Sequence, residues 1–387
     1  MRIGYDGKRA VNNMTGLGNY SRLVIEGIAE EFPGDTLLLY TPGQSDNPRL
    51  EKIMSFPNIE FRYPAPQGLK GSLWRTYGIT NHLRADKVDI FHGLSNELPL
   101  NISSSGVPSV VTMHDVIYRR LPECYKRIDR MIYDFKYGRS CRNADHIIAV
   151  SQRTKDDVVE LYGVDSDKVT VVYQGCDPQF RTQWSAEELR ALKKRLDLPE
   201  RYILQVGTIE KRKNLEVTVR ALSNISPDMN LVVVGKDNNG YKQYIERLAA
   251  RNGVTSRIKF IEGLPFKDLP GVNQAAEIVV YPSRYEGFGI PILEALESSR
   301  PVIAATGSCL EEAGGPDSLY IDPENPVEMV QAVHSILSDP AAARMMGEAG
   351  KEYARKFHGE AMATKIMEVY ENTIENFKSK ILPNKNC

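Results

Sequence analysis

Two carboxylates around one predicted helix start could bind a phosphorylated ligand. Glu286 and Glu294 flank the glycines of Gly287–Gly289, and Pro291 suits the first turn of a helix, where its missing N–H is not needed. A helix that begins near Gly289–Ile290 would present free N–H groups and a positive dipole end to an anion. The carboxylates could then accept hydrogen bonds from sugar hydroxyls on either side of a diphosphate. An ordinary strand-to-helix connection with acidic residues would show the same pattern.

A pair of cations could neutralise such a diphosphate. Arg212 and Lys213 belong to a basic run that starts at Lys211 and follows the predicted strand Tyr202–Gly207. Arginine can bind phosphate through two N–H groups at once, whereas lysine acts as a point charge. Basic runs are also common on solvated surfaces, and that reading would leave both side chains without a ligand.

The first half of the chain offers a histidine and a glycine pair. His114 follows the predicted strand Pro108–Met113, where it could contact a ligand or be a satisfied structural residue. Asp115 could orient its ring or cap the next turn. Gly16 and Gly18 resemble a dinucleotide fingerprint that lacks its third glycine and lies too far from the preceding strand. A glycine loop at a helix start still fits phosphate or acceptor binding.

Metal ligation is not predicted. Asp165 and Asp167 form a D-x-D triplet, but it falls in a predicted helix-to-strand turn, where aspartates commonly bond to the local backbone. The sequence contains neither an H-E-x-x-H motif nor clustered Cys and His residues.

These residues need an α/β framework to position them. Thirteen short runs rich in Val, Ile and Tyr alternate with amphipathic stretches, a pattern typical of βαβ units and doubly wound parallel sheets. One open sheet rarely exceeds ~10 strands, so two sheets in two domains are expected. The predicted domains are 1–175 and 176–359, with Ser185 and Glu188 forming a capping box soon after the boundary. Ligands of such sheets bind beyond the carboxyl ends of the strands, here in a cleft between the domains.

Composition narrows the class of protein. The 387 residues are 42% hydrophobic and 26% charged, with a net charge of −1, which gives no reason to expect a nucleic-acid partner. The start of the chain becomes polar too soon for a signal peptide, and no apolar run is long enough to span a membrane. A cytoplasmic protein with reduced thiols is expected, the cysteines being Cys124, Cys141, Cys176, Cys309 and Cys387.

The segment 126–142 is basic and carries Tyr133, Phe135 and Tyr137. Such a segment could lie on an anionic membrane, at its inner face, or hold an anionic lipid-linked acceptor. A solvated helix face is the alternative.

Taken together, the motifs resemble the retaining glycosyltransferases of family 4, which have the GT-B fold. Glu286 and Glu294 form the E-x7-E pair of that family, set in Y-E-G-F-G-I-P-I-L-E-A, and the resemblance extends over essentially the whole chain. Further matching segments are Gly16–Tyr20, His114–Asp115, Ala149–Ser151, Val172–Asp177, Val206–Thr208, Arg212–Leu215 and Tyr320–Pro323. The chain departs from the family pattern at Gln174 and at Glu297–Arg300, and neither is a usual contact position.

The resemblance implies a role for each candidate. Glu286 would contact donor-sugar hydroxyls, Glu294 the ribose of the nucleotide, and His114 the donor sugar. Arg212 and Lys213 would neutralise the leaving nucleoside diphosphate. Backbone around Phe288, Gly289 and Ile290 would hold sugar and diphosphate, with Gly207 beside them and the loop of Gly16 and Gly18 facing the donor. The last helix, within 360–387, would pack back on the first domain.

The implied fold is therefore α/β, GT-B, with two doubly wound Rossmann-like domains facing a central cleft. The implied activity is metal-independent, retaining transfer of a hexosyl group from a nucleotide-diphosphate sugar to a glycan or lipid-linked glycan acceptor, with no cofactor. The stretch Gly207–Asn214 is closest to mannosyltransferases of surface polysaccharide assembly, which favours GDP-mannose over UDP- or ADP-linked hexoses. Loops such as Gln67–Trp74 and Leu94–Asn101 would select the acceptor. The alternatives are a nucleotide-sugar epimerase or hydrolase on the same fold and a non-catalytic sugar-nucleotide-binding protein.

Overall fold

The computed structural model describes residues 1–65, 68 and 71–381. Gln67, Leu69 and Lys70 of the predicted acceptor loop Gln67–Trp74 lie outside the described residues, as does Cys387. Within the described part, thirteen strands occur where the sequence predicts them. They are β1 Arg2–Asp6, β2 Thr36–Tyr40, β3 Ile59–Arg62, β4 Ile90–Gly93, β5 Ser109–Met113, β6 His146–Ala149, β7 Val169–Val171, β8 Tyr202–Val206, β9 Asn230–Val234, β10 Ile258–Ile261, β11 Ile278–Tyr281, β12 Val302–Ala305 and β13 Leu319–Ile321.

Helices connect these strands, and a π-helical turn at Trp74–Gly78 joins the helices Gly71–Leu73 and Ile79–Ala85. The α-helices are α1 Lys8–Asn12, α2 Gly16–Glu31, α3 Glu51–Ser55, α4 Gly71–Leu73, α5 Ile79–Ala85, α6 Ile117–Arg120, α7 Arg127–Asn143, α8 Gln152–Tyr162, α9 Ala186–Leu196, α10 Leu215–Leu222, α11 Tyr241–Arg251, α12 Leu269–Gln274, α13 Ile290–Glu297, α14 Leu310–Gly314, α15 Pro326–Ser338, α16 Pro340–Ala354 and α17 Gly359–Ile381.

Local sequence signals explain several helix boundaries. The Ser185 hydroxyl accepts a hydrogen bond from the N–H of Glu188 while the Glu188 carboxylate accepts one from the N–H of Ser185, so the predicted capping box is confirmed. Ser151 caps the start of α8, and Gly163 ends that helix in the left-handed conformation. The helix α2 begins at Gly16, so Gly16 and Gly18 lie in its first turn and not in a loop before it.

The chain divides into two compact units. The first comprises Met1–Gly175 and the chain from Phe357 onward, and the second comprises Cys176–Lys356. Each contains one wholly parallel sheet, with strand orders β3-β2-β1-β4-β5-β6-β7 and β10-β9-β8-β11-β12-β13. In both sheets the order reverses beside the first strand, at β1/β4 and at β8/β11. Ligands of doubly wound sheets bind at such switch points, beyond the carboxyl ends of the strands.

The inner strands of each sheet are buried on both faces, as continuous rather than alternating apolar patterns predict, and the edge strands β3 and β10 are half-buried. Val111, Met113 and Ile147 belong to the core of the first unit, and Leu231, Val233 and Ile303 belong to that of the second. Among the helices described, none combines the length and the apolar character that crossing a bilayer demands.

The helix α17 returns to the first unit and packs against α2, where Ala363 lies next to Gly27. A buried polar chain fixes it there. The Tyr370 hydroxyl bonds to Nδ1 of His92 at 2.6 Å and donates to the Tyr5 hydroxyl at 3.3 Å. Nε2 of His92 in turn bonds to Thr112 at 2.8 Å. Burial lowers the pKa of His92 to about 3, so the ring is neutral and the hydrogen bonds are its only means of satisfying both nitrogens.

Candidate active site

The switch point of the second sheet carries a cluster of buried charges. Arg212 and Lys213 follow β8, and Glu286 follows the neighbouring strand β11. One oxygen of Glu286, Oε1, accepts from Lys213 Nζ at 2.6 Å and from Arg212 Nη1 at 2.7 Å. The side chains of Arg212, Lys213 and Glu286 are only 13%, 14% and 10% exposed, respectively. The structure therefore does not support the solvated-surface reading of this basic run.

The two cations determine the ionisation of Glu286. Burial disfavours ionisation of Glu286, but the positive charges of Arg212 and Lys213 outweigh it and lower its pKa to about 2. The pKa of Lys213 is lowered, mainly because burial disfavours the ammonium ion, while Glu286 opposes that effect. Glu286 is thus an anion near neutral pH, and its negative charge opposes the loss of a proton from Lys213.

The loops that carry these residues are joined by hydrogen bonds. The amide Nδ2 of Asn214 donates to the carbonyl oxygens of Pro282 at 3.1 Å and Pro323 at 2.7 Å. The backbone N–H of Arg284 donates to the carbonyl of Arg212 at 2.9 Å. The positions of the two cations are consequently set by backbone contacts across the switch point and not by their flexible side chains alone.

The helix α13 starts as the sequence predicts. Gly289 precedes it with φ +120°, a conformation that L side chains rarely adopt, and Pro291 lies in the first turn. Phe288 is buried before it, and the Cys309 sulfur lies 3.1 Å from the carbonyl oxygens of both Glu286 and Phe288. The loop that leads into the helix is therefore fixed on its inner side by a buried thiol.

Glu294 has the opposite electrostatic environment to Glu286. It is buried one turn inside α13, where burial, and secondarily the negative charge of Asp177, raises its pKa to about 8. The two glutamates of the E-x7-E pair are therefore held in different protonation states near neutral pH. A protonated carboxyl can donate as well as accept a hydrogen bond, whereas the anion of Glu286 only accepts.

The remaining predicted residues lie at strand and helix ends. Gly207 directly follows β8, beside the aliphatic part of Lys213. His114 follows β5 in the first unit, and its Nε2 donates to the Leu94 carbonyl at 2.9 Å. Burial lowers its pKa to about 4, so the ring is neutral, and the edge-on contact with Tyr20 orients it. Asp115 accepts from the N–H of Ile117 and caps the following turn.

Gly16 and Gly18 form the first turn of α2, and the prediction of a glycine loop before the helix is wrong in this respect. The Asn13 carboxamide oxygen accepts from the N–H groups of Thr15 and Gly18 and so satisfies the helix start. A Cβ on Gly18 would lie 1.8 Å from the Asn13 carbonyl oxygen, which explains the glycine by close packing. The same helix carries Tyr20, so this end of α2 lies beside His114.

Three residues that contact the charged cluster or its loops were not predicted from the sequence. Glu210 accepts from Arg212 at 2.7 Å, the Tyr281 hydroxyl contacts Lys213 Nζ, and Cys309 contacts the loop before α13. Tyr281 had a usable signal, since a polar group at the carboxyl end of an otherwise apolar strand points to a site. The spacing of Glu210 and Cys309 gives none.

The D-x-D triplet folds as the sequence indicates. Asp165 accepts from the N–H of Asp167 at 3.0 Å and caps a short 3₁₀ turn. In the described part of the chain, no three His, Cys, Asp or Glu side chains are grouped so that they could hold a metal ion.

Two doubly wound units, the second with buried charged residues at its switch point, place the chain among the two-unit α/β proteins that bind ligands beyond the carboxyl ends of their strands. Comparison with known families specifies the class. Residues 14–180 match Glycosyltransferase Family 4, and residues 188–353 match Glycosyl transferases group 1. The chain belongs to the family 4 glycosyltransferases, as its motifs predict, and is a transferase with the GT-B fold.

Individual relatives agree with this assignment. The chain is 29% identical over 294 residues to O-antigen chain mannosyltransferase B of Escherichia coli, which covers 75% of this chain and 76% of the relative. It is 29% identical over 245 residues to D-inositol 3-phosphate glycosyltransferase of Corynebacterium glutamicum, covering 60% and 59% respectively. Its fold is similar to that of Anabaena Alr3699/HepE, solved in complex with UDP and glucose, with a TM-score of 0.76, 19% identity and coverage of 96% and 100%.

The raised pKa of Glu294 predicts a specific pH dependence of stability. The pKa of this carboxyl is about 8 in the folded protein and near 4.5 in the unfolded chain. The protonated carboxyl therefore stabilises the fold fully below pH 4.5, and this stabilisation is lost as the pH rises toward 8. Glu294→Gln removes this loss. The unfolding free energy of Glu294→Gln, relative to that of wild type, should therefore increase by roughly 1 kcal/mol per pH unit between pH 5 and 8. Denaturant titrations of both proteins measure the difference. The exposed Glu348→Gln serves as the control and should run parallel to wild type; a parallel Glu294→Gln curve would contradict the prediction.

Proposed function

We propose that this glycosyltransferase moves a mannosyl group from GDP-mannose to an acceptor hydroxyl, with retention at the anomeric carbon and without a metal ion. The acceptor is a glycan or a lipid-linked glycan in surface polysaccharide assembly. UDP- and ADP-linked hexoses are the next donors to consider. The mannosyltransferase relative and the stretch Gly207–Asn214 support mannose. The predicted membrane contact through 126–142 belongs to the same proposal.

The cluster of Arg212, Lys213 and Glu286 is the observation that carries the proposal. It lies at a switch point, where a doubly wound sheet binds its ligand, next to the amino end of α13. Lys213 contacts Glu286 and Tyr281 and has three N–H groups, so it can also donate to a phosphate oxygen. Two fixed cations and a helix start together suit a diphosphate.

The proposed chemistry needs no covalent nucleophile. Breaking the C1–O bond of the donor leaves negative charge on the diphosphate, and Arg212, Lys213 and the start of α13 stabilise that charge as it forms. The acceptor hydroxyl then attacks C1 on the face that the diphosphate leaves. Its proton passes to an oxygen of the leaving group, so the configuration at C1 is retained.

The two glutamates divide the binding of the donor. The anion of Glu286 accepts hydrogen bonds from hydroxyls of the sugar, which holds C1 near the cations. Glu294, protonated at neutral pH, can both donate to and accept from the ribose hydroxyls. The rival functions, an epimerase or hydrolase and a non-catalytic binder, are not favoured by the family. Incubating the donor with and without acceptor separates them from transfer.

Identity of the donor is tested by thermal shift. Full-length protein is heated with GDP-mannose, UDP-glucose or ADP-glucose at matched concentrations. We expect the largest rise with GDP-mannose, because a ligand at one hundred times its dissociation constant adds about 2.7 kcal/mol to stability. A larger rise in melting temperature with UDP-glucose or ADP-glucose would identify that sugar nucleotide, and not GDP-mannose, as the donor.

Removal of Lys213 tests the diphosphate site. Lys213→Ala should lower turnover by about 10²–10³-fold, and weaken donor binding much less, since the lysine acts most strongly on charge that develops in the transition state. Arg212→Lys should restore only part of the activity lost in Arg212→Ala, because a point charge does not replace a bidentate group.

Lys211→Ala is the matched control, since Lys211 belongs to the same turn but is exposed. It should retain nearly wild-type turnover. Comparable activity of Lys213→Ala and Lys211→Ala would show that the diphosphate binds elsewhere.

The division between the glutamates predicts two different losses. Glu286→Ala should reduce turnover while free GDP still binds, as measured by calorimetry. Glu294→Ala should weaken the binding of GDP itself, by about 0.5–1.5 kcal/mol for each hydrogen bond that the neutral carboxyl makes to the ribose. Unchanged GDP affinity in both variants would exclude the ribose role of Glu294.

Metal independence is tested with chelator. Turnover should persist in EDTA, because Arg212 and Lys213 supply the positive charge that a divalent cation supplies in other transferases. Loss of activity in EDTA that manganese restores would refute this and would direct attention to Asp165 and Asp167.

A further inference from the structure

Helix α7 exposes a stripe of large apolar side chains. The α7 stripe consists of Ile128, Met131, Ile132 and Phe135, which are 66%, 66%, 45% and 56% exposed. Spacings of three and four residues place all four on one helix face. Single exposed apolar residues are ordinary, but a contiguous patch on a folded surface marks a site of interaction.

The other side of α7 is firmly packed on the first unit. Tyr133 and Tyr137 stack on each other and both contact the ring of Tyr118. Farther along, Cys141 is buried and the Ser140 hydroxyl accepts from the N–H of Leu98 at 2.9 Å. Of the three aromatic residues that the sequence offered to a membrane, only Phe135 therefore faces outward. The stripe is exposed because the rest of the helix is committed to the core.

Basic residues surround the stripe. The same helix face continues from Phe135 into the exposed Arg139 and Arg142. Beside it lies an open groove of about 540 Å³, to which Met131 of the stripe contributes. The groove is lined by Tyr118, Arg119, Arg127, Arg130, Met131, Asp134 and Leu161. Because the whole chain has a net charge of −1, this concentration of arginine is local.

We propose that the α7 stripe docks on an anionic lipid bilayer. The four apolar side chains enter the boundary between headgroups and acyl chains, while Arg127 and Arg130 bind headgroup phosphates. A second copy of the chain fits less well, since a two-fold contact through this face would bring its arginines near their own copies. The inference deepens the membrane contact through 126–142 that the proposed function includes, and it holds whichever sugar is transferred.

Flotation with lipid vesicles tests the apolar contribution. Full-length protein is mixed at low salt with vesicles of phosphatidylcholine alone or with added phosphatidylglycerol. Wild type should float with the anionic vesicles, and Met131→Ser/Ile132→Ser/Phe135→Ser should lower the partition coefficient at least about tenfold. Val327→Ser/Met345→Ser is the matched control, because these side chains are equally exposed but belong to the second unit; it should float like wild type.

Charge is tested separately. Arg127→Gln and Arg130→Gln should each weaken binding to anionic vesicles roughly fivefold, and added salt should do the same to wild type. Failure of wild type to float, or equal flotation of the stripe variant, would overturn the proposal. So would a wild-type dimer, seen by light scattering, that the stripe variant lacks.

Binding of GDP and UDP, followed by thermal shift on every variant, monitors the fold and the nucleotide site. Loss of nucleotide binding by wild type would count against the proposed function and leave the flotation result in force. Retained nucleotide binding in a variant that no longer floats would assign the loss to the bilayer contact.

Discussion

A buried carboxylate paired with two buried cations fixes the loops at the switch point of the second unit. None of the three charges could be left alone in its place, because an unpaired buried charge costs several kcal/mol. Glu286 must therefore meet Arg212 and Lys213, and the loops after β11 and β8 must close on each other. Breaking such a group by removing one member costs about 3–5 kcal/mol in comparable proteins. The same requirement that fixes the loops fixes the charges that the proposed chemistry uses.

That constraint is supported by neutral contacts that bring the backbone into position. Asn214 joins the loop after β8 to Pro282 and Pro323, and Cys309 contacts the carbonyls that lead into α13. These contacts hold the loops that carry the cations in place, and fixed charges of this kind are what the proposed chemistry requires. Glu286 and Glu294 show how two carboxyls eight residues apart can differ in charge. Glu286, in the loop before α13, lies beside two cations and ionises, whereas Glu294 is buried inside the helix near the negative charge of Asp177 and keeps its proton.

Much of this fold follows from the sequence. The strands were predictable because strands covered on both faces need continuous apolar runs, and the site because E-x7-E spans a glycine turn and a Pro291 helix start. The side-chain contacts were harder to predict from the sequence. Glu210 and Cys309 reach the cluster through tertiary packing that no spacing records, and the inward rotation of Tyr133 and Tyr137 depends on Tyr118. Gly18 was misleading because a loop and a tightly packed helix turn both favour glycine, whereas a Cβ on Gly16 would meet no neighbouring atom.

The return of α17 to the first unit orders events during synthesis on the ribosome. The whole second unit, Cys176–Lys356, is translated before Tyr370 exists, so this unit has all its own residues while the first still lacks a helix. Until then the side of α2 at Gly27 is uncovered, and His92 lacks the Tyr370 hydroxyl that it needs inside the core. Domains generally fold as units in the order of synthesis. Here the first unit to begin is the last to be completed, and a chain truncated before Tyr370 leaves its polar core unfinished.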